Sequence, residues 1–282
     1  MRVSTRRMTR IRLSVAGVPR DYLFAAPESA GPWPAVVMLH GTGGTAAWCD
    51  SEVRLREPAL AAGFAVAYPD GLAVDPTREP KFLTNPARWN DGGTKPGQPL
   101  HTDADDVTFL AAVVEDLVAR GCDPKRVCVT GFSNGAGMAF RFAAERSDLV
   151  AAVAPVAGYC WTDAKPARAV PTLMVCGDAD PLIPWSGGRV RLPWGGLTAP
   201  RPSVPATWAK WSVANGCAAR PMLVEGFIEM YTGPVPMVGL RVKGQGHHWP
   251  GGAGQLGARL GGSSDSAIDA TRQVLGFFAK LG

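Results

Sequence analysis

Histidine is scarce in this chain: 282 residues hold four, His40, His101, His247 and His248. Any chemistry that needs an imidazole base must draw on one of them. The six cysteines include no C-x-x-C pair, and no His/Cys spacing of a metal site occurs, so neither dithiol redox chemistry nor zinc binding is encoded. Cys128 and Cys176 lie in apolar runs, as small hydrophobes do. Cys49, Cys160 and Cys217 fall in loops or at helix ends, where pairing in an oxidising compartment is open to them. No apolar run approaches about 18 residues, which excludes a membrane-spanning helix. No apolar segment follows Arg6-Arg7 either, so no secretion signal is visible and the chain reads as cytoplasmic or already processed. Nothing rich in glycine or proline is long enough to be a linker, and no repeat of about 20–50 residues recurs.

The net charge of +5 traces to Arg2, Arg6, Arg7, Arg10 and Arg12. The other basic residues are scattered rather than striped, which argues against nucleic acid. Residues 1–9 are expected to form a basic flexible tail, and 10–282 a single domain. At 46% hydrophobic the chain can bury a substantial core.

Arg10–Ala16 and Arg20–Ala25 alternate polar and apolar residues around Gly17-Val18-Pro19, the pattern of an antiparallel hairpin at a sheet edge. Ala35–Leu39, Phe64–Tyr68, Arg126–Thr130, Val150–Ala154, Thr172–Cys176 and Met237–Val242 are short apolar runs, as in strands buried on both faces. Helices are expected over Glu52–Ala62 (disturbed near Pro58), Thr102–Arg120, Ala136–Glu145, Val204–Asn215 and Ser264–Leu281. The second would bury Val107, Leu110, Val114 and Leu117, with Asp103, Asp105 and Asp106 capping its first turns. Strands alternating with helices predict a mostly parallel sheet with helices on both faces.

Within that pattern Gly131-Phe132-Ser133-Asn134-Gly135 matches G-x-S-x-G, with a strand before it and a helix after it. A serine caught there is forced into a strained turn that exposes its hydroxyl. Glycines two residues to either side let the chains pass, and the helix N-terminus favours developing negative charge. His40-Gly41-Thr42-Gly43-Gly44 follows a buried strand and lacks the Lys-Ser/Thr of a phosphate loop. It suits an oxyanion loop, with the backbone N–H of Thr42 beside that of Asn134. His40 is expected to hold this loop rather than to catalyse. His101 precedes a helix, so the base is His247 or His248, in the glycine-rich loop after the last strand. Asp178 and Asp180 end another strand at the same sheet edge. Asp180, held extended before Pro181, is favoured, and Asp178 competes as a turn cap. The order serine, acid, histidine is that of an α/β-hydrolase fold. Serine needs the imidazole to take its proton, and the imidazole needs a carboxylate to orient it; no metal or cofactor is required.

Residues 69–100 form a proline-rich loop carrying Arg88-Trp89-Asn90-Asp91, a candidate pocket rim. Trp48, Trp89, Trp161, Trp185 and Trp249 fall near strand ends on the same face and are candidates for an aromatic wall.

Leu39–Gly44, Asp105–Leu110, Asp123–Val127, Gly131–Gly135, Asp180–Pro184, Asn215–Cys217 and Gly246–Gly251 together resemble the polyhydroxybutyrate depolymerase and feruloyl esterase-like serine esterases. That resemblance implies Ser133, Asp180 and His247 as catalytic residues, since in this family the histidine precedes x-Trp-Pro-Gly. It implies hydrolysis of feruloyl or aryl, short-acyl or hydroxyalkanoate esters, and it makes secretion the alternative location. His248 and Trp185 depart from the family pattern and, with Trp89 and Trp249, are candidate substrate contacts. A polyhydroxybutyrate depolymerase proper, a serine peptidase, an acyltransferase and a binding module without chemistry are the alternative readings.

Overall fold

The computed structural model describes residues 8–93, 104–191, 196–225 and 227–281. The chain begins with an antiparallel hairpin, β1 (Thr9–Val15) and β2 (Val18–Ala25). Ala16 and Gly17 make its turn, both at positive φ (49° and 80°). Two-residue turns of this kind match the twist of the paired strands. Pro19 lies inside β2, opposite Ser14, rather than in the turn.

β3 (Trp33–Leu39) shows why the sheet has two cores. Ala35, Val37 and Leu39 join one apolar cluster, and Val36 and Met38 the other. Side chains alternate along a strand, so an unbroken apolar run fits only where both faces are covered.

The first face is covered by α1 (Ala46–Val53), α2 (Arg56–Ala61) and, from the far end of the chain, α7 (Ala270–Ala279). The expected helix over Glu52–Ala62 is thus two helices. They break at Arg54, which sits at φ 53°, and not at Pro58. Pro58 falls in the first turn of α2, where its missing N–H has no partner to lose. Likewise α7 is shorter than expected and is capped by Asp269, whose carboxylate accepts the Arg272 N–H.

The central strands are β4 (Ala65–Pro69), β7 (Cys122–Phe132), β8 (Ala152–Val156), β9 (Thr172–Gly177) and β12 (Met237–Val242). A two-stranded ribbon, β5 (Leu72–Ala73) with β6 (Ala87–Arg88), lies outside the main sheet. β10 (Leu223–Glu225) and β11 (Ile228–Met230) form a second hairpin that the apolar runs did not reveal. The ten-stranded sheet runs β1-β2-β4-β3-β7-β8-β9-β12-β11-β10, parallel from β4 to β12 and antiparallel at both ends. This is an α/β-hydrolase architecture.

On the other face pack α3 (Asp106–Ala119), α4 (Asn134–Glu145) and α5 (Val204–Ala214). Of the three acidic residues expected to cap α3, Asp103 lies outside the described residues and Asp105 is the cap, accepting the Thr108 N–H. Asp106 lies in the first turn as expected, but its carboxylate does not cap the helix. It is fully buried, 2.7 Å from the Arg20 guanidinium, and its second oxygen accepts the Asn90 N–H at 2.7 Å. A short helix, α6 (Ala258–Gly261), follows the last strand. Among the described residues no helix is long and apolar enough to cross a membrane.

Candidate active site

Ser133 joins β7 to α4 at φ 57° and ψ −116°, in a region that L-residues seldom occupy. The flanking glycines explain how the turn closes. A Cβ on Gly131 would lie 2.3 Å from the Gly135 carbonyl oxygen, and one on Gly135 would lie 2.3 Å from that of Leu39. Both obstacles are backbone, so no side-chain shift relieves them.

Asp180 follows β9 and His247 follows β12, which bring both to the edge where β7 ends. His247 Nε2 is 2.9 Å from Ser133 Oγ, and Nδ1 is 2.7 Å from Asp180 Oδ2. With Nδ1–H donating to the carboxylate, Nε2 is left to accept the serine proton. Asp180 is itself held: its Oδ1 accepts the Leu182 and Ile183 N–H groups at 2.8 and 2.7 Å. The imidazole packs on Phe132, ring centres 4.9 Å apart. Asp178, the competing carboxylate, turns away to Arg241 and the Gly244 N–H and pins the turn after β12.

The loop after β3 approaches the serine closely. A Cβ on Gly41 would sit 3.3 Å from Ser133 Cβ. The backbone N–H groups of Thr42 and Asn134 donate to no protein acceptor among the described residues, whereas Gly43 and Gly44 donate to Ala87 and Gly41 carbonyls. Asn134 is also clamped by its side chain. Its Oδ1 accepts the Trp89 N–H, and its Nδ2 donates to the Trp89 carbonyl and to Asp91 Oδ2. His40 is buried, donates Nδ1–H to the Gly41 carbonyl and accepts the Gly71 N–H at Nε2. Burial holds its pKa below the usual histidine range, so it stays neutral and ties the loop down.

A cavity of about 90 Å³ opens beside Ser133 and His247. Its side-chain walls are Trp48, Phe82, Phe132, Leu182, Leu256 and Leu260. A larger cleft of about 600 Å³ lies by the N-terminal hairpin. It is lined by Arg10, Arg20, Asp21 and Asp70, ion-paired among themselves or with Asp106, and holds none of the serine, histidine and aspartate above.

The four expected substrate contacts do not line the cavity at Ser133. Trp89 is 1% exposed; its Nε1 donates to the His40 carbonyl and its ring stacks on Phe109. Trp249 is buried in the opposite core, with Nε1 on Thr271. Trp185 lies edge-on to Trp208 with the Arg241 guanidinium over its ring. The His248 ring packs against Gly261, and Nε2 meets the Gly262 carbonyl. Of the aromatic candidates, Trp48 alone reaches the cavity. Sequence reasoning missed Phe82, although Phe82-Leu83 is the one apolar pair in Asp75–Pro86, a stretch otherwise filled with proline and polar residues. All six cysteines are buried free thiols, so the pairing allowed for Cys49, Cys160 and Cys217 is absent. Burial pushes the Cys128 and Cys160 thiols up to about 12. Among the described residues no group of three or more His, Cys, Asp or Glu side chains gathers as a metal would need.

The sequence profile of the dienelactone hydrolase family matches residues 21–189. NocK of Nocardia uniformis subsp. tsuyamanensis, provisionally named an esterase, is 32% identical over 93% of this chain and 80% of its own. Feruloyl esterase B of Piromyces equi is 31% identical over 67% of this chain, which spans only 33% of that protein. The solved structure of native sOPH superimposes with a TM-score of 0.58 over 89% of this chain and 84% of its own, at 16% identity, and bears on the fold alone.

Proposed function

This chain belongs to the dienelactone hydrolase family of α/β-hydrolases, and from that premise we propose that it is a serine esterase that hydrolyses carboxylic esters through an acyl-enzyme. One observation carries the reading: the hydrogen-bonded line from Ser133 through His247 to Asp180. Ser133 Oγ attacks the ester carbonyl while its proton passes to His247 Nε2. Asp180 keeps the imidazole oriented and offsets its positive charge. The backbone N–H groups of Thr42 and Asn134 receive the oxyanion, a duty worth about 3–4 kcal/mol for each donor. As the carbon–oxygen bond breaks, His247 returns the proton to the departing alcohol. Water then attacks the acyl-enzyme, with His247 taking its proton, and the carboxylic acid leaves as Ser133 regains its hydrogen. No step calls on a cofactor. Residues 10–282 act in this reading as one catalytic domain.

The esterase names of these relatives support an ester rather than an amide substrate, and feruloyl esterase B keeps aryl esters among the candidates. Short-acyl and hydroxyalkanoate esters, including a polyhydroxybutyrate depolymerase activity, belong to the same proposal. A panel of p-nitrophenyl acetate, methyl ferulate, hydroxybutyrate oligomers and a peptide p-nitroanilide, run with and without an added sugar acceptor, separates the alternatives. Ester turnover to free acid is expected, at rates at least about 100-fold above the anilide. Faster anilide cleavage makes the protein a peptidase, acyl transfer that outruns hydrolysis makes it a transferase, and turnover of nothing leaves a binding module.

A further inference from the structure

The cavity beside Ser133 is a tight fit for an aromatic ring. At about 90 Å³ it is smaller than an apolar protein cavity of roughly 150 Å³ that holds benzene. Among the described residues no fixed charge lines it, so a carboxylate or ammonium drawn inside would lie unpaired against them at a cost of several kcal/mol.

Two of its walls sit on clasped loops. Phe82 rides on the loop between Asp75 and Asn85. The buried Asn85 side chain accepts the Asp75 N–H and donates to the Asp75, Arg78 and Glu79 carbonyls. The Phe82 ring then lies over the oxyanion loop: a Cβ on Gly43 would meet its Cδ2 at 2.6 Å. Gly43 in turn donates its N–H to Ala87, just beyond the clasp. Leu256 is held by Glu52, a 1% exposed carboxylate whose two oxygens accept the Gly254 and Gln255 N–H groups at 3.1 and 2.8 Å. The Glu52 carbonyl takes the Ala253 N–H as well. Neither loop can drift outward without giving up these bonds. Phe82 itself is 42% exposed, so it shapes the cavity without being part of a core.

We infer that Phe82 is a specificity-determining residue that restricts the acyl group of the substrate to short uncharged chains, from acetyl to butyryl, and turns away long and aromatic acyl groups. This rests on the serine esterase reading above. The restriction falls on the acyl side because, once the alcohol has left, the acyl group stays bonded to Ser133, which itself lines the cavity.

The test compares kcat/KM for p-nitrophenyl acetate, butyrate, octanoate and benzoate in the wild-type protein, Phe82→Ala and Leu260→Ala. Wild type is expected to favour acetate and butyrate over octanoate and benzoate by at least about tenfold, the scale of one or two misfitting methylenes. Phe82→Ala is expected to raise the octanoate-to-acetate ratio about tenfold or more. Leu260→Ala opens the same cavity from another residue and is expected to move the ratio in the same direction, should the first variant fold poorly. Unchanged ratios in an active enzyme overturn the inference and leave the esterase standing. So does a Phe82 dependence that appears across methyl, butyl and octyl acetates instead of across the acyl series. Absence of turnover on every ester, with Ser133 inert to acylating reagents, overturns the esterase reading and the inference with it.

Discussion

Replacing Ser133 by alanine is expected to lower kcat for p-nitrophenyl acetate by about 10⁴-fold or more, leaving at most a small residue of activity. Alanine removes the attacking oxygen and nothing else: the Oγ bonds only to His247 Nε2 among the described residues. The Thr42 and Asn134 N–H groups survive the change, so what activity remains measures the oxyanion donors and substrate binding alone. Because the members of such a triad act as a unit, Ser133→Ala combined with His247→Ala is expected to be hardly slower than either single variant. The thermal midpoint should move little, since the 133 side chain holds no part of the fold together. A variant that keeps a tenth of the wild-type kcat would mean that a different nucleophile does the work. Steady-state kinetics with a melting curve on the same samples give both readings.

The second large effect lies away from the chemistry. Asp106→Ala is expected to destabilise the fold by about 3–5 kcal/mol, because it leaves the Arg20 guanidinium buried without its counter-charge. In a chain of this size that corresponds to a fall of roughly 10 °C in the thermal midpoint. The two side chains are 2.7 Å apart and almost wholly shielded from water, and Arg20 also lies over the Phe109 ring. Substituting both partners, Arg20→Met with Asp106→Leu, should recover much of the loss, since an apolar pair avoids the desolvation that an orphaned charge suffers. Recovery should be incomplete, because Asp106 also accepts the Asn90 N–H. That bond adjoins Trp89, whose backbone clamps the Asn134 side chain, so Asp106→Ala should lower kcat as well as stability. Equal stabilities for wild type and the single variant would show that the ion pair adds nothing.

The parts that local rules describe were legible before any coordinates. β-Branched apolar runs bounded by turns mark strands, and a serine between such a run and a helix, with glycines two residues to either side, reads as an elbow. Four histidines, two of them assigned elsewhere, narrowed the candidate base to His247 or His248. The structure brings Ser133, Asp180 and His247 within hydrogen-bonding reach of one another. What failed was the direction of large side chains at strand ends. Trp89 and Trp249 were placed in an aromatic wall because of where they fall along the chain. Each points inward instead, because its indole N–H finds an acceptor distant in sequence, the His40 carbonyl for one and Thr271 for the other. The capping role expected of Asp106 failed for the same reason, although the residue lies in the first turn. Its position suits a helix cap, and its partner lies 86 residues earlier. The break between α1 and α2 depends on Arg54 in the left-handed region, with no glycine to signal it. The cavity walls were hidden because Phe82 and Leu256 reach the site on loops held by Asn85 and Glu52, and no periodicity records such clasps.

The most direct measurement is covalent labelling with diethyl p-nitrophenyl phosphate, read by intact mass and peptide mapping. A serine activated by His247 displaces p-nitrophenolate from phosphorus and keeps the diethyl phosphoryl group. The expected result is one adduct per chain, on Ser133, formed at least about 100-fold more slowly in His247→Ala. An adduct on any other residue, or labelling of Ser133 at an unchanged rate without His247, would contradict the proposed mechanism.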